Sequence, residues 1–170
     1  MKLNLGSGEH LRSDFINFDC IKIKKDGRNT TVVGKMQNIE KIFKPDIFTT
    51  IIAFHSLEHI NHLEVLTTLK GCFAILKSGG NLIVEGPDIV GAYEHYVIGN
   101  KSVEGYIYCI FGEDFISQKK YGDSWGHKSG WTGTLMAKAM EDTGFKIKHI
   151  GKGLSHGMVL RDFRVEGIKP

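Results

Sequence analysis

The chain has 170 residues, 41% of them hydrophobic and 24% charged, with a net charge of +3 at neutral pH. That length suits one domain with a real buried core, and the balance is that of a globular protein, not a disordered or fibrous one. No apolar run approaches the roughly 20 residues that span a bilayer. The basic residues are scattered; the densest cluster, "KIKKDGR", reads as a solvated loop, so neither a membrane nor a nucleic-acid partner is expected.

Met1 leads straight into a strand, so the expectation is no signal peptide and a cytoplasmic protein. The three cysteines, Cys20, Cys72 and Cys109, are widely spaced. They fit no zinc pattern and predict buried thiols in a reducing compartment, with no metal site.

Strand signals come first along the chain. Lys2 to Leu5 is one short strand. Phe15 to Asp19 alternates apolar and polar, Thr30 to Val33 is β-branched and ends at Gly34, and Ile47 to His55 is a longer run suited to burial on both faces. Asn61 and Glu64 form a capping-box pattern, with Ile60 and Val65 placed as a staple. Leu66, Leu69, Phe73 and Leu76 then repeat at helical spacing, widened by Val65 and Cys72, and Gly79-Gly80 reads as the stop. Asn81 to Pro87 is the next strand.

From Asp88 to Gly133 the pattern breaks. Ile89 to Ile110 has helical character, while Gly112 to Gly130 reads as a loop rich in glycine and aromatics. A loop of that length is usually functional or disordered. The segment from Gly112 to Trp131 is therefore expected to be a mobile lid, with Trp125 and Trp131 as apolar walls. Leu135 to Thr143 is helical, Gly144 caps it, Phe145 to Gly151 is a strand, and a last strand lies near Val159. No repeat or second domain is visible. The short link before the last strand leaves no room for a crossover helix, so that strand is predicted antiparallel.

In a parallel α/β sheet, ligands sit beyond the carboxyl ends of the strands. Gly6, Ser7 and Gly8 fall at such an end, where glycine lets a ligand approach the backbone closely. Asp19 ends the neighbouring strand, placed to accept ribose hydroxyls. A dinucleotide fingerprint would need a third glycine where Leu11 stands, and a helix for which Gly8 to Phe15 leaves no room. A nucleoside without phosphates fits better.

With these residues in view, the chain resembles the class I S-adenosylmethionine-dependent methyltransferases, and among them the small type 11 group. The resemblance rests on "LNLGSG", on Asp19, on "FHSLEHI" from Phe54 to Ile60, on "LKSGGNLIVEGPD", and on His127 followed by Leu135 to Phe145. It implies an α/β, Rossmann-like, mostly parallel seven-stranded sheet with an antiparallel last strand, here with the first helix nearly absent. It further implies S-adenosyl-L-methionine as cofactor, with Gly6, Ser7 and Gly8 under its methionine part and Asp19 on the ribose. Met36 and Gln37 would flank adenine, and Phe54, His55 and Leu57 would border the reactive end. Departures are Asn4 where many relatives carry an acid, and Lys35 where an acid often meets adenine.

Methyl transfer to oxygen or nitrogen needs an aligned acceptor and often a base. Among the histidines, His127 is the candidate base, His55 shapes the cofactor pocket, and His59 packs at the start of the helix. Asp88, at the end of the fifth strand, either orients an acceptor hydroxyl or caps the next element of the chain. Glu58 is expected to hold its own turn together. Three functions are compatible with these residues: a methyltransferase acting on a small-molecule or glycan acceptor, a non-catalytic binding protein of the same fold, and a disfavoured nicotinamide-dependent oxidoreductase. The oligomeric state is not legible.

Overall fold

Strands form where apolar, β-branched runs meet on both faces, and the chain order puts them side by side. The computed structural model describes residues 1–112, 119, 126–155, 157 and 160–170. Strands β1 (Lys2–Leu5) and β2 (Ile16–Asp19) are followed by a hairpin of β3 (Lys24–Lys25) and β4 (Arg28–Asn29), and by β5 (Val32–Val33). A 3-10 turn at Met36–Asn38 runs into the short helix α1 (Ile39–Ile42). Then come β6 (Phe48–Phe54), α2 (His62–Ile75), β7 (Leu76–Pro87), α3 (Ile89–Tyr93), a π-helical turn at Glu94–Ile98, and α4 (Val103–Phe111). Helix α5 (Gly133–Thr143), β8 (Lys146–Lys152) and β9 (Asp162–Ile168) complete the fold.

The main sheet has seven strands in the order β5-β2-β1-β6-β7-β9-β8. From β5 to β7 every pairing is parallel, and β9 is antiparallel to both β7 and β8. The predicted antiparallel last strand is therefore observed, although it begins at Asp162; Val159 lies outside the described residues. Leu3, Leu5, Ile51, Leu82 and Val165 from the sheet and Leu69, Ile75, Met136 and Met140 from the helices share one buried core. Among the described residues, no helix is long and apolar enough to cross a membrane.

Three local readings change. "KIKKDGR" is a hairpin rather than a loop: Asp26 and Gly27 both have positive φ, 50° and 74°, as a two-residue type I′ turn requires. Helix α2 starts on the expected Asn61–Glu64 capping box but ends at Ile75, before the glycine pair. Leu76 opens β7 opposite Phe48, and the strand is bulged before Asn81. An apolar residue at Leu76 suits the helix period and the strand equally, so periodicity could not place the boundary. The buried face of α2 is Val65, Thr68, Leu69, Cys72 and Ile75, with Leu66 turned outward.

The parallel strands send Leu5, Asp19, Val33, Phe54 and Pro87 to one edge. Because β9 runs the other way, its first residue, Asp162, pairs with Pro87 and reaches that same edge.

Candidate functional site

Between β1 and β2 there is no helix; a hydrogen-bonded loop takes its place. Asn4 Nδ2 donates to Asn17 Oδ1 (3.0 Å) and to the His10 carbonyl (2.9 Å). Asn17 in turn donates to the Arg12 carbonyl and accepts from the Arg12 amide, both at 2.9 Å. An acid at position 4 could not donate these bonds, which gives the departure at Asn4 a structural reason.

Gly6 and Gly8 have φ of +67° and +48°. The amides of Gly6 and Ser7 both donate to the Phe18 carbonyl, at 2.9 and 3.0 Å, tying the turn to β2. Asp19, only 8% exposed, accepts from the Gly8 amide at 2.8 Å and from Ile21 at 3.3 Å. Each carboxylate oxygen keeps a second lone pair for a ligand hydroxyl. A Cβ on Gly6 would lie 2.3 Å from Ser56 Cβ, so the glycine turn is pressed against the turn after β6. The Ser7 and Ser56 hydroxyls are buried in these two turns, with no hydrogen-bond partner among the described residues. Buried polar atoms are rarely left unsatisfied, and two in adjoining turns fit polar groups of a bound molecule.

Other expected cofactor residues fall differently. Met36 Cε reaches to 3.4 Å from the Gly6 Cβ position. Gln37 turns away, donating to Glu64 Oε1 on α2 at 2.7 Å. The Phe54 ring lies between the guanidinium groups of Arg12 and Arg164, at 5.5 and 5.8 Å. Leu57 is a core residue.

His55 follows β6 with a φ of +48°, a left-handed conformation uncommon outside glycine and typical of functional turns. Its ring bridges two buried carboxylates: Nδ1 is 3.5 Å from Glu58 and Nε2 is 3.3 Å from Asp162. Burial opposes charge on the imidazole, but Asp162 and Glu58 outweigh it and raise His55 to about 9. Burial pushes the Glu58 carboxyl up, yet His55 and the neighbouring histidines bring it down to about 2. Arg161 grips Asp162 with a two-bond fork, Nε to Oδ1 at 2.7 Å and Nη2 to Oδ2 at 2.9 Å.

Asp88 is a clasp. Its Oδ1 caps α3 through the Val90 and Gly91 amides, both at 3.0 Å, and its Oδ2 accepts from Gly133 at the start of α5, also at 3.0 Å. That is the capping role; Oδ2 keeps a second lone pair. His127 is half-buried. Its amide donates to Phe111 at 2.9 Å, its Nδ1 lies 3.2 Å from the Ile110 carbonyl, and its ring stands edge-on to His59 at 4.9 Å. Burial lowers its pKa.

Of the expected lid, 113–118 and 120–125 lie outside the described residues, Gly122 and Trp125 among them. The remainder near His127 is pinned. Lys128 and Ser129 amides donate to the Glu58 carbonyl at 2.7 and 3.2 Å, and Trp131 Nε1 donates to Ser129 Oγ at 2.8 Å. Trp131 is 4% exposed and packs in the core. Sequence reasoning missed Ser56, Arg161 and Asp162. Ser56 lies inside "FHSLEHI" and was within reach; "RDF" carries no motif, and only the antiparallel strand brings it here.

No family model matches the chain, and no curated protein matches it. Solved structures do. An S-adenosylmethionine-dependent methyltransferase from Archaeoglobus fulgidus superposes with a TM-score of 0.63 at 13% identity, covering 99% of this chain and 85% of that one. One from Mesorhizobium loti gives 0.63 at 14%, over 98% and 89%. One from Thermotoga maritima gives 0.60 at 17%, over 99% and 81%. The chain therefore has the class I methyltransferase fold.

Proposed function

We propose that this chain transfers a methyl group from S-adenosylmethionine to a small-molecule or glycan acceptor. The observation that carries the reading is the pair of buried, unpartnered hydroxyls of Ser7 and Ser56 at the glycine turn, beside Asp19. Gly6, Ser7, Gly8 and Ser56 would hold the methionine part, Asp19 the ribose, and Met36 the apolar face of the base. Gln37, held through Nε2 by Glu64, would serve through its backbone. Bound S-adenosylmethionine supplies an activated methyl on a sulfonium. The chain's share is to hold an acceptor in line, at about 3 Å, and to accept its proton.

A cleft of about 390 Å³ opens beside Asp162, between α3, the start of α5 and β8. Glu94, Thr132, Thr134 and Lys152 line it together with Val90, Leu160 and Phe163, and such mixed walls suit an acceptor that carries both hydroxyls and apolar carbon. Proton removal falls to the cluster of groups that includes His127.

Calorimetry should detect binding of S-adenosylhomocysteine and none of NAD. A transfer screen over hydroxylated small molecules and sugars should then find an acceptor. NAD binding in place of the homocysteine compound would sink the reading. The binding-protein alternative draws on one observation: the Gly6 and Ser7 amides are both spent on Phe18, and among the described residues no helix stands between β1 and β2. It predicts cofactor binding with no transfer to any acceptor.

A further inference from the structure

The cofactor contacts leave one cluster unaccounted for. Glu58, His59 and His127 each bring one ligating atom into a common space, all within 4.8 Å of one another. The donor set is two imidazole nitrogens and one carboxylate oxygen.

Two sides of the cluster, His127 and Glu58, are held so as to present those atoms. A carbonyl can only accept, so the contact of His127 Nδ1 with the Ile110 oxygen places the proton on Nδ1. The lone pair then sits on Nε2. Metal-binding histidines are oriented in this way, by a backbone carbonyl on the other ring nitrogen. The ring also has a fixed seat: Gly112, with φ of +66°, lies so close beneath it that a Cβ there would be 2.6 Å from the imidazole. Glu58 is 4% exposed; among the described residues its Oε1 makes no hydrogen bond, and His55 Nδ1 stands off at 3.5 Å. A buried carboxylate with one cationic neighbour at that distance keeps lone pairs for a metal ion. The frame is covalently short at Glu58–His59 and is closed by the Lys128 and Ser129 amides on the Glu58 carbonyl.

We propose that Glu58, His59 and His127 hold one zinc-type divalent cation, leaving a coordination position for water or an acceptor oxygen. Two nitrogens and one carboxylate oxygen suit zinc or a similar first-row ion, whereas magnesium and calcium take oxygen ligands. Ligands bonded at about 2.0–2.2 Å stand roughly 3.3 Å apart in a tetrahedral site. Small side-chain rotations close the gap from 4.8 Å. Three protein ligands with one open position is the arrangement of catalytic rather than structural zinc. The donor set alone points to the ion, independently of methyl transfer.

The test uses chelator-treated full-length protein, with neither cofactor nor acceptor present, titrated with Zn²⁺ by calorimetry and with Co²⁺ by absorption. The expected result is one ion per chain, and visible cobalt bands without thiolate charge transfer, which excludes Cys20, Cys72 and Cys109. His127→Ala should weaken binding at least about 100-fold, since even an outer partner of a ligand is worth 10–100-fold. Glu58→Gln should do the same; because Glu58 is buried and that variant can fail to fold, His127→Ala, checked by circular dichroism, decides. His149→Gln, a change at an exposed histidine on β8, should bind as wild type does. Zn²⁺ should raise the melting temperature of the wild type and not of His127→Ala. No stoichiometric ion, undiminished binding in His127→Ala, or a thiolate-dominated cobalt spectrum would each overturn the proposal. Since no cofactor enters the measurement, this result and the methyl-transfer reading fail separately.

Discussion

Replacing Gly6 with alanine tests whether the glycine turn and the turn after β6 touch as closely as the structure has them. Two effects add. At φ of +67°, an L side chain in the left-handed region costs roughly 1–2 kcal/mol. The new Cβ would sit 2.3 Å from Ser56 Cβ, an overlap that backbone must relieve, costing about 1–3 kcal/mol more. The expected loss is therefore about 2–5 kcal/mol, a large share of the 5–15 kcal/mol that holds a typical domain together. Urea denaturation followed by circular dichroism measures it. A second variant separates the terms. Ser56→Gly removes the atom that Gly6→Ala strikes, so in the double variant the steric part should return and the backbone part should stay. The coupling between the two changes should be about 1–3 kcal/mol and favourable. If Gly6→Ala unfolds at the wild-type midpoint, or if Ser56→Gly adds its own loss with no rescue, the two turns are not in contact and the site as described is wrong.

Asp19→Ala should weaken S-adenosylhomocysteine binding by about tenfold to a hundredfold, the worth of roughly 1.5–3 kcal/mol for a bond to a charged group; equal affinity by calorimetry would place the nucleoside elsewhere. Asp88→Ala should lower stability by about 1–2 kcal/mol through the lost cap, with little change in cofactor affinity; a loss of binding without a loss of stability would return Asp88 to the ligand. Asp162→Ala removes one of the two carboxylates beside the His55 ring and the carboxylate that Arg161 grips, and should cost about 3–5 kcal/mol in a melt or urea series. Trp131→Ala should also cost about 3–5 kcal/mol; a neutral effect on folding would fit a mobile wall instead of a core residue.

The cofactor edge was legible because its signals are local. Gly6 and Gly8 announce positive φ through lack of a side chain, Asp19 follows a short alternating strand, and Asn61 with Glu64 writes its own helix start. Element boundaries were less legible where one residue serves two periods. Leu76 satisfies the helical stripe and the strand alike, and only its pairing with Phe48 chooses between them. The Asp-Gly pair in "KIKKDGR" did carry a hairpin signal, obscured by the density of charge around it.

By itself the sequence determined the order of the main strands and of the two long helices, the glycine turn, and the antiparallel sense of the last strand, since each depends on spacing along the chain. It did not determine the company those residues keep. His55 and Asp162 are far apart in sequence, and nothing local pairs them. They meet because β9 enters the sheet against the direction of β7, which brings its first residue to the edge where the parallel strands end. The same holds for His127, which joins Glu58 and His59 through backbone bonds from Lys128 and Ser129 to the Glu58 carbonyl. Side-chain chemistry is written residue by residue, but a cluster of buried charges exists only once the backbone has closed and excluded the water that would otherwise solvate each one apart.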